Sequence, residues 1–146
     1  MVRRSPIFRT RMVKLVGTSL AAGALGLLQV WLTAAVISRR REKKVSLGDG
    51  GDKDLERRIR GHGNFIETAP MGLILMGLAE SQVGAGFRWT TWGLGAMLVV
   101  GRCLHGYTFL LPGQWMFGRV GGMMLTLTSL VGLAATNVIV GAQSVL

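Results

Sequence analysis

The chain has a single cysteine, Cys103, so no disulfide can form within it, and its two histidines, His62 and His105, leave no ligand cluster of metal-binding spacing. Cys103 sits inside an apolar segment and reads as a small core filler. Acids are scarce: there are seven among 146 residues, none before Glu42, against 17 Lys and Arg, for a net charge of +10. In a soluble protein that excess would raise nucleic acid as a partner. Here the cations mostly flank apolar runs and are not interleaved with aromatics, which argues against nucleic-acid binding and for anionic lipid headgroups. Neither an inverted repeat nor a pair of broken helices is visible, which argues against a transporter.

What is abundant is apolar: 49% of the residues are hydrophobic and 22 are glycines, which suits one membrane bundle. The basic start, Arg3 to Lys14, superficially resembles a cleavable leader. The charge-free run that follows, Leu15 to Ile37, is 23 residues long, about 34 Å of helix, a full span and longer than an ordinary signal core. Four helices are expected, at about 15–38, 55–81, 89–111 and 120–142, in a single all-α domain over 1–146. Arg39 to Asp54 reads as a connecting loop, with Asp52 or Asp54 capping the next helix. Pro70 should kink the second helix and so open a cleft, and Pro112 and Gly113 should end the third. Trp89 and Trp92 suit a membrane-interface belt. Ser19 with Gly23, Ala22 with Gly26, and Gly118 with Gly122 are small pairs four apart that allow helices to approach closely.

One stretch breaks the apolar pattern. Arg57 to Pro70 reads RRIRGHGNFIETAP, and at 100° per residue Arg57, Arg60, Asn64 and Glu67 fall within about 80° of one another. A charge at mid-helix costs roughly 3 kcal/mol on insertion scales, so ionisable groups kept there mark a functional site. Two cations suit ligand carboxylates, and a carboxylate with an amide suits an ammonium or peptide group. His62 points about 140° away from Arg57. The third helix brings Arg102, His105 and Tyr107 to the same side of the membrane, as an antiparallel hairpin requires. Eleven of the 17 Lys and Arg lie on that side, from Arg39 to Arg60 and at Arg102 and Arg119, which turns the site toward the cytoplasm.

The segment from Leu47 through Glu80 resembles the signature of the MAPEG family, the membrane-associated proteins of eicosanoid and glutathione metabolism. Arg60, His62, Asn64, Glu67 and Pro70 stand at family spacing, and Gly101 to His105 reads Gly-Arg-x-x-His. The resemblance implies a four-helix membrane bundle, a homotrimer, glutathione as co-substrate and a site between subunits in a bacterial inner membrane or an intracellular membrane. By it, Arg57, Arg60, His62, Asn64 and Glu67 bind glutathione, and a hydrophobic electrophile or lipid hydroperoxide is the second substrate. Arg119 matches the arginine implicated in stabilising the thiolate, with the preceding turn differing by about one residue; an interfacial cation is its other reading. Arg102, His105 and Tyr107 stand behind the site. Thr68 and Phe109 occupy places where the eicosanoid-forming members have tyrosines, which puts a tyrosine-assisted mechanism in doubt. A non-catalytic membrane protein that keeps the binding geometry is the alternative.

Overall fold

The computed structural model describes residues 14–83, 85–111 and 115–143, and among these the secondary structure is four α-helices. They are α1 (Val16–Lys43), α2 (Lys53–Gln82), α3 (Ala85–Thr108) and α4 (Met116–Gln143). Two of them, α1 and α4, are long and apolar enough to cross a membrane. The outward side chains are apolar too: Leu27 on α1 and Val138 on α4 are 75% and 71% exposed, as suits a lipid-facing surface. α2 and α3 form the middle of the bundle. α1 packs on both from one side and α4 on both from the other, and α1 and α4 do not meet.

The helix ends depart from the expected boundaries for local reasons. α1 continues past Ile37 to Lys43, so Arg39 to Lys43 is helix and not loop. Arg40, Arg41 and Lys43 lie in its last turn, where positive charge complements the carbonyl end of the dipole. Lys44 then turns left-handed, at φ 56°, and closes it. Asp52 is the residue that caps α2, accepting from Leu55 N at 2.8 Å, while Asp54 pairs with Arg58 at 2.9 Å. Arg39 grips Asp52 through two nitrogens, at 3.1 and 2.9 Å, and so ties the end of α1 to the start of α2. α2 runs on through Pro70, whose missing N–H leaves the Ile66 carbonyl without its helical donor. α3 ends at Thr108, three residues before the expected Leu111. Pro112 and Gly113 lie outside the described residues.

Leu25, Leu28 and Leu32 of α1, Phe65 and Ala69 of α2 and Leu98 of α3 make the larger buried cluster. A smaller one joins Ala21, Met76 and Leu133. Near the site α3 and α4 meet backbone to backbone: a Cβ on Gly122 would lie 2.6 Å from His105 N and 2.7 Å from Gly101 O. Gly118 also faces α3, since its Cβ would meet Thr108 Cγ2 at 2.7 Å. The small pairs on α1 differ: Gly23 and Gly26 face open space, with nothing among the described residues packed on them. Cys103 is exposed on α3 and is no core filler, because the buried face of this turn passes through Gly101, Arg102 and His105.

Candidate functional site: a polar cleft between α2, α3 and α4

A cleft of about 520 Å³ opens between α2, α3 and α4. α2 contributes Arg60, Gly63, Asn64 and Glu67, spaced i, i+3, i+4 and i+7 along one helix face. α3 contributes His105, the turn just after it Phe109, and α4 Arg119, Val120, Met123 and Met124. Three charged side chains from two helices therefore share one cavity with an apolar wall. That size suits a small-molecule ligand.

The charges are left largely unspent by the fold. Glu67 has no hydrogen-bond or ion-pair partner among the described residues. Arg60 makes one long contact to Glu56, 3.5 Å from Nε, with its side chain 71% exposed. Arg119 lies over the Phe109 ring, 5.4 Å from Cζ to the centroid, a cation–π contact that leaves its N–H donors available. The Phe109 ring also packs against buried His105, with centroids 5.1 Å apart. Gly61 makes room for Phe109, since a Cβ there would come within 2.7 Å of that side chain.

Behind the cleft lies Arg102, 1% exposed. Its Nη1 donates to Asn64 O at 3.2 Å, Asn64 Oδ1 at 2.9 Å and Thr68 Oγ1 at 2.6 Å. Thr68 in turn donates to Asn64 O at 2.9 Å. Thr68 thus serves Arg102 and does not line the cleft.

Three expected residues lie elsewhere. Arg57 does not line the cleft: its Nη2 donates to the carbonyls of Thr108, at 3.2 Å, and Leu111, capping the end of α3. His62 faces α1, with Nε2 3.1 Å from Thr33 Oγ1. Thr33 Oγ1 gives its own proton to Gln29 O at 2.8 Å, so His62 is the donor in that contact. Tyr107 stacks on Trp31 of α1, centroids 6.3 Å apart, and is turned away from Arg119 and Glu67. Its hydroxyl is no part of the cleft.

Sequence reasoning passed over Met123, Met124 and Gly63, which have no chemical signature of their own. It also passed over Glu80. This carboxylate, 8% exposed, accepts from Gly17 N, Thr18 N, Thr18 Oγ1 and Trp92 Nε1 at 2.7 to 2.9 Å. It caps α1 from another helix, and it recruits Trp92, expected as an interfacial anchor, into the fold.

Fold and cleft together define a helical membrane bundle with a ligand-sized polar site opening beside apolar helix faces. The chain belongs to the MAPEG family, whose profile matches residues 18–139. It is similar to inner membrane protein YecN of Escherichia coli strain K12, 33% identical over 92 residues, spanning 63% of this chain and 69% of the relative. The protein of the same name from Escherichia coli O6:H1 strain CFT073 matches to the same extent.

Proposed function

We propose that the protein is a membrane-embedded glutathione transferase, with glutathione peroxidase chemistry at the same site. The observation that carries this reading is the cleft itself: Arg60, Glu67 and Arg119 converge there without neutralising one another. Glutathione offers two carboxylates, an ammonium, two peptide groups and a thiol. Arg60 meets a carboxylate, Glu67 the ammonium and Asn64 a polar group between them, by charge-assisted or amide hydrogen bonds. Arg119 stabilises the thiolate, and each unit by which the thiol pKa falls needs about 1.4 kcal/mol of preference for the anion.

The thiolate attacks an electrophilic carbon, forming the carbon–sulfur bond as the leaving group departs with the bonding pair. With a lipid hydroperoxide it attacks the terminal oxygen, the O–O bond breaks and the lipid alkoxide leaves to take a proton and become the alcohol; a second glutathione then converts the sulfenic acid to disulfide and water. Met123, Met124, Val120 and Phe109 supply an apolar wall for a substrate arriving from the bilayer. The site faces the cytoplasm of a bacterial inner membrane or the cytosolic side of an intracellular one, and the working unit is a homotrimer. His62 lies about 200° around α2 from Arg60, beside Thr33 of its own α1, so the site it would serve is the neighbouring subunit's and not its own.

Phe109 favours a second reading, because a phenyl group beside Arg119 gives the sulfur no hydroxyl donor. On that reading the protein binds glutathione without activating it. Thermal unfolding in detergent with millimolar glutathione tests binding, and turnover of an aryl halide and a lipid hydroperoxide separates the two readings. A rise in melting temperature that disappears in Arg60→Ala and Glu67→Ala is the expected result. No rise in the unmodified protein refutes both readings.

A further inference from the structure

Arg102 is the one buried Lys or Arg among the described residues, and it has no acid for a partner. Its Nε and Nη2 are buried without any hydrogen-bond acceptor, and Nη1 carries all its contacts. A guanidinium has five donors and no acceptor. The Asn64 amide atom held 2.9 Å from Nη1 must therefore be the carbonyl oxygen, because the flipped amide would set N–H against N–H. Asn64 is fixed from two sides, since its main-chain oxygen receives both Arg102 and Thr68. With Oδ1 committed to Arg102, which does not line the cleft, Nδ2 is the amide atom left free on a residue that does line it. No group among the described residues accepts from it.

We propose that Arg102 is a positioning residue that locks the Asn64 amide with its N–H donors toward the cleft, so that the ligand group docking there is an acceptor, a carboxylate or a peptide carbonyl. This rests on the cleft being the glutathione site proposed above, and it sets the direction of the ligand. The end at Asn64 takes acceptor atoms, and the unneutralised guanidinium behind it favours negative charge. The ammonium is left to Glu67, three residues further along the same face. An Asn side chain is ambivalent by itself, able to give or to receive; Arg102 removes that ambivalence.

Substitution at 64 tests this in the full-length protein, in detergent, with glutathione as the probe. Asn64→Asp keeps the oxygen facing Arg102 and replaces the cleft-facing NH2 with an acceptor; Asn64→Ala removes both. Without ligand, Asn64→Asp should melt at or above the unmodified protein, because Arg102 gains a counter-ion, and Asn64→Ala should melt below it. With glutathione, Asn64→Ala should bind roughly 10-fold to 100-fold more weakly, the range for losing a hydrogen bond to a charged group. Asn64→Asp should bind more weakly still, at least tenfold beyond Ala. A purely structural role for Arg102 does not produce that order. Asn64→Asp binding as tightly as the unmodified protein, or melting below Asn64→Ala without ligand, overturns the proposal. If the unmodified protein binds no glutathione, the function proposed above falls, and the ligand-free comparison alone decides whether Arg102 holds the amide.

Discussion

Glu80→Ala should destabilise the bundle more than most single changes outside the cleft. The first N–H groups of any helix lack intrahelical acceptors, and Leu15 at the N-cap of α1 offers no side-chain bond. Glu80 fills that role from α2, accepting two main-chain N–H groups, a hydroxyl and the Trp92 indole. Interhelical hydrogen bonds in membrane proteins are worth about 0.6 to 1.7 kcal/mol each. Four of them set a range of about 2.4 to 6.8 kcal/mol, and about 3, near the average-bond end, is expected once partial rescue by water is allowed. For a chain of this length about 3 kcal/mol corresponds to a fall in Tm of roughly 6 to 12 °C. Tryptophan emission on heating in detergent reads this, because Trp92 is itself a partner. Glu80→Gln should lie between Ala and the unmodified protein, since the amide keeps one acceptor oxygen. A Glu80→Ala protein melting within 2 °C of the unmodified one would refute the reasoning.

Gly122→Ala places a methyl group 2.6 Å from His105 N, so α4 must move off α3; overpacking of this kind costs about 1 to 3 kcal/mol, and both Tm and glutathione binding should drop. Asp52 is held at a pKa of about 2, below its ordinary 3.8, chiefly by its hydrogen bond to Arg39. A depressed carboxylate contributes stability that is complete above the unfolded value and lost as pH falls through the folded one. Tm should therefore decline as pH drops from about 4 to about 2, and Asp52→Asn should flatten that part of the profile. In the homotrimer proposed above, mixing Arg60→Ala with His62→Ala subunits should regain binding that neither mutant has alone. No recovery, with subunits exchanging freely, removes the shared site.

Much of the architecture could be read because its cause is periodic. Four charge-poor runs and one polar stripe are local properties, and the spacing that put Arg60, Asn64 and Glu67 on one face places them on one cleft wall. The helical wheel also turned His62 away, and it contacts α1 through Thr33. What could not be read depends on where another helix's backbone ends. Arg57 shares the stripe's azimuth, yet one turn nearer the surface it meets the open carbonyls at the end of α3. Tyr107 in the last turn of α3 and Phe109 just beyond it are two residues apart and face opposite flanks, one toward Trp31 and the other toward Arg119. Glu80 gave no warning because capping is ordinarily sought within a few residues, and its acceptor role spans 63 positions.

The central claim is that the cleft binds glutathione and ionises its thiol, and ultraviolet titration of the thiolate tests it most directly. Adding glutathione to the detergent-solubilised protein at neutral pH should produce thiolate absorbance that saturates with the sites. Arg119→Ala should keep binding, seen as a retained rise in Tm, and lose the absorbance. Saturable binding with no thiolate in the unmodified protein, or thiolate undiminished in Arg119→Ala, would contradict the account.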